Sequence, residues 1–347
     1  KLAMRKLAVE DWLQANATPA RVELGLAEQT LRVVYPLTAQ PLVSIIIPSR
    51  NAFEFIEPCI NTLFERTAYP HFDVVVVDNQ SDDPDVLRFY EQAIQRFGER
   101  LRVVHYDAPF NFSAQINLGA ANARGDYLLL LNNDIEIVQP DWLERMQQHA
   151  VRDGVGAVGA KLLFPETAKV QHAGIFLGSG PDRIGSASHL GWMAEAGDAG
   201  YMNRLQIDQR LSAVTAACLL TPAAAFRAVG GFDEHDFAVL YNDVDYCLRL
   251  RDAGWHTLWT PYATLVHHHS ISIRAEGEQV LKAMRRHEQN QQEQGRLLQR
   301  WLPVLANDPA YNPNLSLTGK PCEIEQKVLR FWPPEFTELP RILGNGI

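Results

Sequence analysis

The stretch from Pro41 to Leu131 constrains this chain most. Four apolar runs of strand length occur there: Val43–Ile47, Phe72–Val77, Leu101–Val104 and Tyr127–Leu131. Each is predominantly apolar rather than alternating, the pattern of strands covered on both faces of a parallel sheet. Helix-period segments separate them. Ile56, Ile60, Leu63 and Phe64 mark one face over residues 52–66, and Leu87, Tyr90, Ile94 and Phe97 mark a second after an Asp83-Pro84 start signal. Ser113–Ala123 supplies a third helix. The βαβαβαβ order predicts an α/β fold with a mostly parallel central sheet and helices on both faces.

The second half is less regular. Val155–Leu163 and Leu211–Leu220 read as strands, 178–201 as a long loop, Pro222–Val229 and Val244–Ala253 as helices, and Thr257–Trp259 and Thr264–Val266 as two further strands. Residues 1–40 form an N-terminal extension or linker with a short strand at Thr30–Tyr35. Residues 41–275 form the catalytic domain, and 276–347 a C-terminal helix, Glu276–Arg300, and a Pro- and Asn-rich tail. Lys282, Arg285 and Arg286 read as a solvated helix face, with peripheral contact to an anionic membrane as the second reading.

With 347 residues and a formal charge of -9, the chain lacks the basic balance of a nucleic-acid binder. No apolar run is long enough to span a bilayer, and the first residues lack the apolar core of a secretory signal. Cys59, Cys218, Cys247 and Cys322 are widely spaced, which fits reduced thiols in the cytoplasm. Position 1 is Lys rather than Met, so the chain reads as part of a longer, multidomain protein.

In open parallel sheets ligands bind beyond the carboxyl ends of the strands. Three polar clusters end these strands: Pro48-Ser49-Arg50-Asn51, Asp78-Asn79 and Asn132-Asn133-Asp134. The last follows four leucines and reads either as a turn or as a carboxylate holding a divalent metal against diphosphate oxygens. Asp78 reads as an acceptor for a nucleobase or ribose hydroxyl, or as a cap. Asp243, within Tyr241-Asn242-Asp243-Val244-Asp245, is the candidate general base for deprotonating an attacking hydroxyl, and capping of the helix is compatible with that role. His267-His268-His269 follows a strand. Alternation lets one or two of the three serve a metal site. Gln171-His172-Ala173-Gly174 reads as a loop approaching a ligand, and Trp142, Trp192, Trp255 and Trp259 chiefly as core.

Together these segments resemble glycosyltransferase family 2. The resemblance rests on Pro41–Arg50, Val74–Ser81, Leu128–Asp134, Gly230–Glu234, Asn242–Arg249 and Val266–Ser272, in the family's order, and extends over about Pro41 to Arg274. Residues 308–316 resemble an ending of the rhamnosyltransferase-like branch. The resemblance implies a GT-A fold and an inverting transfer from a nucleotide-diphosphate sugar, a deoxyhexose such as rhamnose among the candidates, to a glycan or lipid-linked glycan at the cytoplasmic face of a membrane. It implies that Pro48, Ser49, Arg50, Asp78, Asn79, Asn117, Gly119 and Asn133 line the nucleotide. Asp134, His267 and Asn132 would form a Mn²⁺ or Mg²⁺ site, with Asn132 standing where the family has an acid. Asp243 would be the base, with Asn242 and Asp245 behind it or at the acceptor. Two other readings compete: a non-catalytic nucleotide- or glycan-binding domain, and a metal-dependent phosphohydrolase using Asp134, His267 and Asp243.

Overall fold

In the computed structural model the residues described are 1–179, 187–268, 279–317 and 322, with side chains in 279–287 left aside. The chain opens with α1 (Leu2–Ala15) and a hairpin of β1 (Arg21–Leu24) and β2 (Leu31–Val34). Then come β3 (Val43–Ser49), α2 (Phe53–Arg66), β4 (Phe72–Asp78), α3 (Pro84–Phe97), β5 (Leu101–His105), α4 (Phe112–Ala121), β6 (Tyr127–Leu131) and the short β7 (Ile135–Glu136). The second half holds α5 (Trp142–Ala150), β8 (Val155–Leu163), β9 (Val170–His172), β10 (Ile175–Leu177), β11 (Ala187–His189), β12 (Gln209–Leu211) and β13 (Cys218–Pro222). It ends with α6 (Ala223–Ala228), α7 (Asn242–Asp252), β14 (His256–His267) and α8 (Gln279–Leu305).

A ten-stranded sheet has the order β12-β14-β8-β13-β6-β3-β4-β5, with β7 on β14 and β9 on β8. Along that path β14, β8, β6, β3, β4 and β5 point one way and β13 and β12 the other. The continuous apolar runs are explained by the layers. Ile46, Val75 and Val77 pack on one face with Ile116, Phe226, Tyr246 and Trp301, whereas Ile45, Ile47, Val74 and Val76 pack on the other with Ile56, Ile60, Tyr90 and Trp142. Most residues of β3, β4 and β6 therefore meet a helix layer, whereas the edge strand β5 is largely only partly buried. Asp83 caps α3 as its sequence implies, accepting from the Asp85 amide at 2.9 Å.

Several expected elements come out differently. Leu211–Leu220 is not one strand: β12 ends at Leu211, β13 starts at Cys218, and the segment between them bends across the site. Thr257–Trp259 and Thr264–Val266 belong to the single strand β14, whose register against β8 shifts between Thr260 and Thr264, around Pro261. The expected loop 178–201 contains β11, paired with β10. Helix α1 gives little periodic signal because Leu13 is its one buried side chain while Met4, Leu7 and Trp12 are exposed. The C-terminal segment joins the main core through Leu297, Trp301, Leu305, Tyr311 and Leu315. The side chains of Lys282, Arg285 and Arg286 lie outside the described residues.

Candidate active site

The chain runs outward from β3 to β4 and β5, then returns to place β6 on the other flank of β3. This reversal makes the β3/β6 carboxyl edge the topological switch point, where open α/β sheets bind ligands. Pro48 and Ser49 end β3 as buried residues, and Arg50 follows, exposed. The Asn133 amide donates to Ser49 Oγ at 3.1 Å across the crevice. Asn51, in the left-handed region at φ 50°, latches the neighbouring loop: its Oδ1 accepts from the amides of Asp82 and Asp83, and its own amide donates to Ser81 Oγ. Asp78 ends β4 almost fully buried. Its Oδ2 accepts from the Ser81 amide at 3.3 Å, and Oδ1 meets no donor among the described residues. Asn79 spends its amide protons on the carbonyls of Tyr106 and Ala108.

After Leu131 the chain turns through Asn132-Asn133-Asp134 and re-enters the sheet as β7, which pairs with the end of β14 so that His267 lies opposite Ile135. That pairing brings His267 Nε2 to 3.0 Å from Asp134 Oδ1, with both residues buried, and Asn132 Nδ2 to 3.3 Å from the same ring nitrogen. His268 points elsewhere, to Glu136 at 3.2 Å, as strand alternation requires, and His269 lies outside the described residues.

Gln171 fixes the tautomer of His267. Its Nε2 donates to the His267 carbonyl, so its Oε1 faces Nδ1 at 2.5 Å and Nδ1 carries a proton. Nε2 therefore presents a lone pair or a second proton to Asp134. A histidine whose far nitrogen donates to a fixed acceptor is the usual arrangement behind a metal ligand. Two ligands about 2.1 Å from an octahedral cation, on adjacent positions, lie ~3.0 Å apart. The Asp134–His267 separation matches that figure, so the donor set fits a divalent cation. Among the described residues no group of three His, Cys, Asp or Glu side chains forms a complete protein cage, which leaves positions for ligand oxygens.

Asp243 occupies the first turn of α7. Tyr241, at φ 57°, turns the chain into that helix. Asp243 Oδ2 accepts from the Ala216 amide at 3.1 Å and Oδ1 from the Val244 amide at 2.8 Å. Burial pushes its carboxyl above the ordinary value, opposed by the hydrogen bonds from Ala216 and Val244.

The bent segment between β12 and β13 joins these parts. The Thr215 amide donates to His172 Nε2 at 3.4 Å, the next amide, Ala216, binds Asp243, and the Ala217 carbonyl accepts from the Asn132 amide at 3.0 Å. Because His172 Nε2 accepts, its Nδ1 carries the proton and donates to His189 Nδ1 at 2.8 Å. Burial and the neighbouring His189 and His267 hold His172 far below its usual pKa, so it stays neutral.

Other expected site residues are placed differently. Asn117 is tied to a protein loop, with Oδ1 accepting from the Phe232 amide and Nδ2 donating to the Phe232 carbonyl, both at 2.9 Å. Gly119 faces the sheet: a Cβ there would lie 2.3 Å from Ile46 Cγ2. The contacts seen for both residues lie within the protein. Asn242 is buried and donates to the Val239 carbonyl. Asp245 is fully buried, with Oδ1 accepting from Arg300 and Trp301 and Oδ2 from Arg249. It braces α7 from behind through Arg249, Arg300 and Trp301. Trp142 and Trp259 are core, whereas Trp192 is exposed beside His189.

Sequence comparison adds that residues 44–171 match the profile described as Glycosyl transferase family 2. The uncharacterized protein y4gI of Sinorhizobium fredii is 39% identical over 91% of this chain, and the O-antigen biosynthesis protein RfbC of Myxococcus xanthus is 36% identical over 85% of it. The chain carries a family 2 glycosyltransferase domain. It spans 33% of the first relative and 22% of the second. Among solved structures, GalNAc-T7 with UDP, GalNAc and Mn²⁺ aligns with TM-score 0.58 and 13% identity over 80% of this chain and 51% of its own. The mannosyltransferase PcManGT of Pyrobaculum calidifontis, in complex with GDP-Man and Mn²⁺, aligns with TM-score 0.50 and 17% identity over 86% and 72%. These likenesses establish the GT-A fold. The profile match ends at Gln171 and so does not cover Asp243 or His267.

Proposed function

We propose that this domain transfers a sugar from a nucleotide-diphosphate donor to an acceptor hydroxyl, with inversion at the sugar carbon and Asp243 as general base. The observation that carries the reading is the convergence on one bent segment: Asn132, beside the Asp134–His267 pair, and Asp243, from α7, are held by consecutive residues Ala217 and Ala216. The two halves of a displacement reaction are thereby fixed to one another.

In this reading the nucleoside lies along the ends of β3 and β4, where the unpaired Oδ1 of Asp78 accepts from a base or ribose donor and Arg50 reaches the ligand from the rim. Asp134 and His267, with Asn132 adjacent, would hold a divalent cation of the Mn²⁺ or Mg²⁺ type, which would supply charge neutralisation for the departing diphosphate. Asp243 takes the acceptor's proton as the acceptor oxygen bonds to the anomeric carbon, and the bond from that carbon to the diphosphate breaks. Gln171 keeps His267 oriented. Inversion would require Asp243 and the departing diphosphate to stand on opposite sides of the reacting carbon.

The relatives favour an acceptor in surface-polysaccharide assembly, since one is an O-antigen biosynthesis protein. The acceptor would be a growing glycan, free or lipid-linked, met at the cytoplasmic face of a membrane. No helix among the described residues is long and apolar enough to cross one. The test is a panel of nucleotide-diphosphate hexoses and deoxyhexoses, including a rhamnose donor, with binding and transfer measured with and without Mn²⁺ or Mg²⁺. Metal-enhanced donor binding together with acceptor-dependent release of nucleotide diphosphate supports the proposal. Binding with no release for any donor–acceptor pair contradicts it.

A further inference from the structure

A second concavity lies apart from the β3/β6 crevice. It measures about 320 Å³ and sits between the β1–β2 hairpin, the irregular stretch of β14 around Pro261, and the start of α5. None of Asp134, His267, Asp243 or the residues that bind them lines it. Three cationic side chains do: Arg32, Arg145 and Lys161, with Asp141 the one acidic lining residue.

Arg145 is paired with Asp141, Nε to Oδ2 at 2.7 Å. Arg32 and Lys161 are different. Each is at least nine-tenths buried, at 4% and 3% exposure. Arg32 donates to the neutral Gln148 Oε1 at 3.2 Å and stacks 3.9 Å over the Tyr262 ring, and its Nε finds no acceptor among the described residues. Lys161 donates to the Ala196 carbonyl at 2.6 Å. Asp208 and Glu23 attract Arg32 and Asp198 attracts Lys161, without an ion pair within 4 Å among the described residues. Burial pulls the Lys161 ammonium down to about 8.

Taking a charge out of water costs several kcal/mol unless a counter-charge and hydrogen bonds compensate. Here two buried cations without a close carboxylate partner line one cavity, and the Nε of one of them, Arg32, meets no acceptor among the described residues. The group that satisfies both is an anion with several acceptor oxygens, for which guanidinium and ammonium donors form strong charge-assisted hydrogen bonds. Leu163, Leu26 and Pro261 add an apolar wall. We propose that this cavity is a second ligand site, binding a small molecule through a carboxylate or phosphate group held by Arg32 and Lys161, with Arg145 beside them.

Calorimetric titration of the full chain with inorganic phosphate, with glucuronate, and with uncharged glucose tests this, using the parent, Lys161→Met, Arg145→Gln and Asp134→Asn proteins. The expected result is a Kd of about 10 mM or tighter for at least one anion and none measurable for glucose. Affinity falls about tenfold or more in Lys161→Met and in Arg145→Gln, and is unchanged in Asp134→Asn. Binding of phosphate alone identifies a phosphorylated ligand, and binding of glucuronate alone an acidic sugar. Arg145→Gln carries the test if Lys161→Met does not fold, since Arg145 lies at a more exposed position. Absence of binding for both anions, or binding lost in Asp134→Asn and retained in the cavity variants, overturns the proposal.

Discussion

Replacing Asp245 with alanine removes the carboxylate that fastens the C-terminal helix to the helix bearing the proposed base. Asp245 is fully buried and accepts three hydrogen bonds: Arg249 Nε at 2.7 Å, Arg300 Nη1 at 2.9 Å and Trp301 Nε1 at 2.9 Å. Removing one partner of a buried ion pair costs ~3–5 kcal/mol, mostly because the remaining charge stays buried without compensation. Arg300 is partly exposed and keeps Asp233 and Asp236, so its share is small. Arg249 keeps the Val229 carbonyl but loses its carboxylate, and the Trp301 indole loses its acceptor. The lower end, about 3 kcal/mol, is therefore expected. Urea unfolding followed by tryptophan fluorescence reads it as a lowered midpoint at constant slope. Asp236→Ala is the control: it removes a partner of the same Arg300 from a solvent-exposed position, where ion pairs are worth ~0–1 kcal/mol. A loss in Asp245→Ala no larger than that of Asp236→Ala would refute the reasoning.

Three further outcomes are expected. Gln171→Ala frees the imidazole of His267, and loss of such a supporting contact typically weakens metal binding ~10–100-fold. Mn²⁺ titration by electron paramagnetic resonance measures this, and an unchanged affinity would remove Gln171 from the site. Gly119→Ala places a methyl 2.3 Å from Ile46 Cγ2, and overpacking of this kind costs ~1–3 kcal/mol. An unaltered melting temperature would show that α4 sits less tightly on the sheet. The acid limb of kcat/KM should fall above the ordinary carboxylate value of 3.8, because Asp243 must be ionised to act and burial raises its pKa. The sign for stability is opposite: a raised folded-state pKa favours the protonated form, so this group's contribution is present at low pH and lost as pH rises through its folded value. A limb that persists unchanged in Asp243→Asn would assign it to another group.

Much of the architecture from β3 to β6 could be read from the chain. Largely apolar strands, an Asp83-Pro84 helix start and polar clusters at strand ends are local signals, and each reports its own surroundings. The segment between Leu211 and Cys218 could not be read that way. Ser212–Ala217 is apolar enough to continue a strand, and its bend is imposed by His172, Asp243 and Asn132, which lie 27 to 85 residues away in sequence. Gln171 was legible only as part of a ligand-approaching loop; Val170–His172 is the strand β9, and its contact with His267 depends on β9 lying beside the end of β14. Asn117 and Asp245 were legible as special positions but not in their contacts. Their polar groups are taken up by the protein, and sequence spacing does not distinguish a side chain satisfied internally from one that waits for a ligand. The lysine and arginines of the second cavity come from β2, α5 and β8, which share no sequence neighbourhood.

The central claim is that Asp243 deprotonates an acceptor for sugar transfer. Its most direct test compares the parent chain with Asp243→Asn, using a nucleotide-diphosphate sugar that the parent transfers, by single-turnover transfer and by donor binding. Loss of a general base typically costs ~10²–10⁴ in rate. The account predicts a fall of that size with donor affinity changed by less than about threefold, since Asp243 stands on the acceptor side. Transfer by Asp243→Asn at the parent rate, or a loss explained wholly by weaker donor binding, would contradict it.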